Sequence, residues 1–139
     1  MKYKNIDSQS VLRIDPGEEI VESIKNFCKA HGITFGTVQG IGTVKEMVIG
    51  IYDINNKRFQ SDKFVGNFEI ISLLGNITTK DSELYLHLHA TFSDDKYRTF
   101  GGHLSSAVIS GTAEIFVLSL NWRVNRRFDK DIGLNIIDL

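Results

Sequence analysis

Only one stretch of this chain carries its apolar residues at helical spacing. Ile20, Ile24 and Phe27 recur at intervals of four and three, with Val21 and Cys28 beside them. That spacing lays one apolar stripe along a helix. From Phe35 onward the apolar residues come instead in alternating or continuous runs of strand length. A period of two sends successive side chains to opposite faces of a sheet. One main N-terminal helix followed by about seven or eight strands defines an α+β chain with a largely antiparallel sheet. A length of 139 residues suits a single domain, 1–139, with one core.

The segments can be placed in outline. Asp15-Pro16-Gly17-Glu18 reads as a helix start, with Asp15 as N-cap, Pro16 in the first turn and Glu18 closing a capping box. Gly32 reads as the C-cap, and His31 as a last-turn residue favoured by the helix dipole. Strands are expected over 13–14, 35–41, 44–54, 58–65, 68–74, 83–92, 97–103 and 112–120, separated by turn signals such as Asn55-Asn56 and Ser93-Asp94-Asp95-Lys96. The run 68–74 is almost continuously apolar, which predicts a central strand covered on both faces.

Composition narrows the function. Sixteen basic and seventeen acidic residues leave a formal net charge of -1, unlike the basic excess of a typical nucleic-acid footprint. Arg123, Arg126 and Arg127, interleaved with Trp122 and Phe128, are the one local basic cluster. They are weak candidates for phosphate contact, against the plainer reading of a solvated strand end with one buried aromatic. No apolar run approaches the ~20 residues that span a bilayer, so no membrane partner is expected. The N-terminus lacks a signal-like apolar segment. Cys28 is the only cysteine, which excludes an intrachain disulfide and makes the cytoplasm the simplest setting.

The chemistry concentrates in three histidines. His87, His89 and His103 lie within seventeen consecutive positions. His87 and His89, two apart in a strand, share a face. A turn at Asp95-Lys96-Tyr97 would bring His103 opposite His89, with Cβ atoms roughly 4.5–5.5 Å apart and His87 on the diagonal. Gly101-Gly102 is expected to supply a bulge. Three neutral nitrogen ligands suit zinc, or another divalent transition metal, with one coordination position left open. The same pattern also fits a half-exposed polar face that holds no ligand.

An open position on such a metal lowers the pKa of bound water or polarises a carbonyl. The matching activity is a lyase or hydrolase acting on a small carbonyl or ester. Turnover needs an acid or base nearby. Glu69 is the candidate, because it interrupts an otherwise apolar strand. The competing reading for Glu69 is a structural ion pair with Arg13 or with a neighbouring subunit's arginine.

These motifs resemble a known family. Arg13-Ile14-Asp15-Pro16-Gly17-Glu18-Glu19, Gly40-Ile41-Gly42, Phe68 to Ile77, His87-Leu88-His89 and Gly101-Gly102-His103-Leu104 follow the order of a PPC (plants and prokaryotes conserved) domain. The tail Phe128 to Leu139 is similar to that of stand-alone prokaryotic members. The resemblance implies an α+β domain with an antiparallel sheet, assembled as a homotrimer, with zinc on His87, His89 and His103. It also implies a DNA-associated or regulatory module, although the Arg-Gly-Arg hook of plant relatives is absent here. The fold further resembles acetolactate decarboxylase, which likewise uses histidine ligands. That likeness keeps a small-molecule ligand at the metal in view.

Overall fold

The computed structural model describes residues 1–139. In chain order it contains β1 (Lys2–Ile6), β2 (Gln9–Ile14), α1 (Ile20–Ala30), β3 (Gly36–Asp53), β4 (Arg58–Lys80), β5 (Glu83–Ser93), β6 (Thr99–Ser119), β7 (Arg126–Asp129) and β8 (Leu134–Ile137). The α+β expectation holds, with a single helix and antiparallel pairing between all named strands.

The main sheet runs β1-β2-β6-β3-β4-β5, and β5 also pairs with β6. That extra pairing closes β3, β4, β5 and β6 into a ring around the core, while β1 remains an edge strand paired only with β2. Segments expected as separate strands are joined. The stretches 35–41 and 44–54 form the one strand β3, bent by register shifts between Gly40 and Gly42 and between Val44 and Glu46. Each shift inserts an unpaired residue and turns the strand without ending it.

The helix begins later than the sequence predicts. Gly17 takes a left-handed φ of 86°, which halts helical geometry there. Asp15 to Glu18 therefore close a turn, with the Asp15 N–H donating to Glu18 Oε2 at 2.8 Å. Glu19 is the N-cap instead. Its carboxylate accepts from the Val21 and Glu22 N–H groups at 3.0 and 2.6 Å and from the Ala107 N–H at 2.8 Å. One side chain thus satisfies the helix start and fastens it to β6. At the other end His31 is the C-cap, and Gly32 follows with φ 64°.

Ile20, Ile24, Phe27 and Cys28 of α1 join Leu12 and Ile14 of β2 and the inward residues of the ring in one buried cluster. Burial pushes the Cys28 thiol up to about 12, as suits a packing residue. Leu88, Ala90 and Phe92 of β5 and Leu104, Ala107 and Ile109 of β6 point into this core. Their alternate neighbours therefore point outward.

The apolar run 68–74 is covered on one face only. Ile70 and Leu73 are buried, but Ile71 and Leu74 are 51% and 58% exposed. The ring curls its inner face around the core, and within the chain nothing is left to cover the outer one. Ile41 and Phe116 join them there, also exposed.

Candidate metal centre

Leu88, 1% exposed, anchors β5 in the core and thereby turns His87 and His89 outward. The turn that follows is held by Asp94. Its carboxylate accepts from the Lys96 and Arg98 N–H groups at 2.9 and 3.0 Å and from the Arg98 side chain at 2.8 Å. The returning strand then sets His103 directly opposite His89, as the turn position predicts.

The expected bulge at Gly101-Gly102 is absent, because the β5–β6 register runs unbroken from Thr99 to His103. The glycines serve close approach instead. A Cβ on Gly101 would stand 2.3 Å from the Ala90 carbonyl oxygen, and one on Gly102 would stand 2.6 Å from that of Gly50. β6 is squeezed between β5 and β3 at this point, and side chains there would prise the strands apart.

The three imidazoles converge. Ring centroids are 5.0 Å apart for His87 and His89, 5.3 Å for His87 and His103, and 5.5 Å for His89 and His103. One nitrogen from each lies within 4.8 Å of the others. A tetrahedral zinc with Zn–N about 2.0–2.1 Å wants its nitrogens about 3.3 Å apart, so small ring rotations suffice. The donor set fits a divalent transition metal. Phe59 stands edge-on to His103 at 5.5 Å.

Both partly buried rings are held in the neutral form that ligation requires. His87 is pulled down to about 4, chiefly by burial, then by the Arg126 guanidinium and by the crowding of the His103 and His89 rings, which disfavours a charge beside them. Burial also lowers His103, with His89 adding to the effect.

The cluster lines a cavity of about 750 Å³ on the outside of the ring. Tyr52 and Phe59 of the β3–β4 arm form one wall, Tyr85 continues the histidine face, and Gly133 to Ile136 of the C-terminal hairpin close the far side. The hairpin is fastened where the Tyr52 hydroxyl donates to the carbonyls of Ile132 and Gly133, at 3.0 and 3.1 Å. Lys57 Nζ donates to the Lys130 carbonyl at 2.9 Å.

Arg126 lies behind this wall and is 8% exposed. Its Nε donates to Thr78 Oγ1 at 2.8 Å, Nη1 to the Asn135 carbonyl at 2.7 Å and Nη2 to Asn76 Oδ1 at 2.8 Å. Its guanidinium carbon is 4.8 Å from the centroid of the Tyr85 ring. Asn76 in turn is the register partner of His87.

Other predicted residues fall elsewhere. Glu69 is exposed, pairs with Ser93 and Thr43, and does not line the cavity. Ser93 is four residues along β5 from His89, a run of about 13 Å at 3.3 Å per residue, so the fold does not bring Glu69 to the histidines. Arg13 bonds Asp15 instead of Glu69. Nor do the three arginines form one patch. Arg123 is exposed, Arg126 is buried, and Arg127 pairs with Asp129 and Asp138.

Sequence reasoning missed Tyr52, Phe59 and the hairpin, and singled out Arg126 only as a candidate phosphate contact. Tyr85 carried a usable signal, since it stands two residues before His87 and shares its face.

The fold and the site define a closed antiparallel β-ring with one helix and an outward-facing three-histidine cluster. The Plants and Prokaryotes Conserved (PCC) domain matches residues 1–121, and the chain belongs to that family. A crystal structure from Bacteroides thetaiotaomicron, named a "putative DNA binding protein", superposes with a TM-score of 0.96 at 35% identity, covering 99% of this chain and 96% of that one. A "metal-containing protein" from Archaeoglobus fulgidus superposes at 0.90 with 34% identity, covering 100% of both chains. Acetolactate decarboxylase from Bacillus subtilis shares the fold at a TM-score of 0.55 and 16% identity, over 87% of this chain and 57% of that one. The bifunctional protein GlmU of a Synechococcus strain is 28% identical over 125 residues, 88% of this chain. The chain spans only 19% of that curated relative's length.

Proposed function

We propose that this protein binds a divalent transition metal, zinc by default, through His87, His89 and His103, and holds a small molecule in the cavity beside it. The carrying observation is that the three ligand nitrogens face a large open cavity, which leaves a fourth position for water or a ligand. A metal there supplies Lewis acidity and a site for an oxygen donor. The chain's own residues fix the geometry. Leu88 and the Asp94 turn orient the three rings, burial keeps two of them neutral, and the hairpin limits access.

Small-molecule binding is better supported than catalysis on a carbonyl or ester. No Asp or Glu lines the cavity, so a lyase or hydrolase would have to draw its proton-transfer group from tyrosine, histidine or a second subunit.

Assembly as a homotrimer, which the family resemblance implies, is part of this reading. Ile41, Ile71, Leu74 and Phe116 expose an apolar outer face around a 330 Å³ hollow. A partner copy would cover that face. The single, buried Cys28 supports a cytoplasmic setting.

Metal content of the purified protein, with zinc and cobalt titrations of the chelated form, tests the reading. One metal per chain is expected, lost in His89→Ala. Absence of binding at micromolar metal would overturn it.

A second reading, association with DNA, draws on the name of the Bacteroides relative. It predicts duplex affinity that falls steeply with salt. The scattered arginines and the net charge of -1 favour the small molecule.

A further inference from the structure

The charges around the cavity point to the chemistry of its occupant, an inference that rests on the metal reading above. None of the fourteen lining residues is Asp, Glu, Lys or Arg. Three neutral imidazoles leave a divalent metal with its full double positive charge. Immediately behind the Tyr85 wall sits Arg126, whose three hydrogen bonds all go to neutral oxygens. No carboxylate pairs with it. A guanidinium has five N–H donors, and it keeps its charge through any ordinary pH.

Buried charge of one sign without compensation is costly. Low local dielectric lets such charges act at longer range than they would in water. Two separate sources of positive charge therefore converge on one cavity, and the chain supplies no negative group to it. Apart from Asn135 and the glycines, the remaining lining is aromatic or apolar, with Tyr52, Phe59, Tyr85, Leu134 and Ile136 prominent. A volume near 750 Å³ is that of a small-molecule site.

We infer that the cavity selects a small organic carboxylate with an apolar body, its anionic end at the open metal position and its charge balanced in part by Arg126. Arg126 acts here as a specificity-determining residue that works through space and through its bond to Asn76, the neighbour of His87. It lies in β7, beyond the span 1–121 matched by the family. Selectivity is thus carried by the hairpin and metal ligation by β5 and β6.

The test uses the full chain loaded with cobalt(II), whose visible absorption reports on the fourth position. Three probes are titrated: 3-phenylpropionate, 3-phenylpropionamide and neutral imidazole. The carboxylate is expected to bind at least about tenfold tighter than the amide. Arg126→Gln should shrink that acid-to-amide ratio, measured within the variant itself, about fivefold, while Arg126→Lys keeps most of the preference. Equal affinity for acid and amide overturns the inference, and so does a preference untouched by Arg126→Gln. If Arg126→Gln fails to fold, the acid-to-amide ratio in the unaltered protein and in Arg126→Lys still decides. Failure of cobalt to bind, or of imidazole to perturb its spectrum, overturns the metal reading and the carboxylate with it. Failure of the carboxylate alone leaves the metal reading standing.

Discussion

His89 stands directly across the β5–β6 ladder from His103, and the two rings meet edge to face with centroids 5.5 Å apart. Between His87 and His89 sits Leu88, wholly inside the core. Adjacent residues on one strand thus serve opposite ends of the structure.

Substitutions at those neighbours should separate cleanly. Leu88→Ala opens a cavity in the core and should cost about 2–5 kcal/mol of stability, read by denaturant unfolding. His89→Ala removes an exposed side chain and should move the stability of the metal-free protein by no more than about 0.5 kcal/mol. Losing a group that merely orients a metal ligand costs about 10–100-fold in affinity, so losing a ligand should cost at least about 100-fold. Calorimetry with zinc gives the number. Undiminished affinity in His89→Ala would remove it from the ligand set.

The metal-free protein should weaken as pH falls below neutrality. Native His87 holds off its proton down to about pH 4, through burial first and Arg126 next, whereas an unfolded imidazole titrates near 6.5. Between about pH 6.5 and pH 4 the unfolded chain binds a proton that the native chain refuses. Stability therefore falls as pH drops through that window and levels off beneath it. The lowered His103 adds in the same direction. Denaturation midpoints at pH 7, 5.5 and 4.5 measure the slope, and His87→Gln should flatten it. A midpoint constant from pH 7 to 4.5 would contradict the burial argument.

Gly101→Ala should loosen the site without touching a ligand. Its new methyl would face the Ala90 carbonyl at 2.3 Å, far inside contact distance, so β5 and β6 must part where His89 and His103 meet. Overpacking of this kind costs about 1–3 kcal/mol. Zinc affinity is expected to fall along with the thermal midpoint. Retention of full affinity would show that the ligands tolerate a wider ladder.

Leu74→Glu places a charge in the exposed apolar face, beside His89 in register. Since Leu74 is 58% exposed in the single chain, the fold should survive and the proposed trimer should not. Sedimentation velocity reads the outcome, and an unchanged trimer would move the interface elsewhere.

The convergence of the three histidines was legible in the sequence, because its information is local. A period of two and one tight turn were enough to pair His89 with His103. The helix start was misplaced for a local reason too. Asp15, Pro16 and Glu18 all have the right chemistry for a cap, but the left-handed Gly17 between them diverts the chain. What stayed hidden was long-range. Arg126 reaches Asn76, fifty residues away in sequence, and Tyr52 bonds a carbonyl eighty residues on; no spacing pattern encodes such contacts. The half-covered state of 68–74 was hidden as well. A strand buried on both faces and one whose outer face stays exposed on the single chain share the same apolar pattern.

The joining of three histidines on one hairpin has an evolutionary corollary. Closing so short a loop costs little entropy, and the whole histidine cluster is contained between His87 and His103. The walls around it come from the β3–β4 arm and the C-terminal hairpin, both remote in sequence. A lineage can therefore reshape the cavity by rewriting the arm or the tail while inheriting the histidine trio intact. Divergence among relatives of this chain should accumulate in those two walls first.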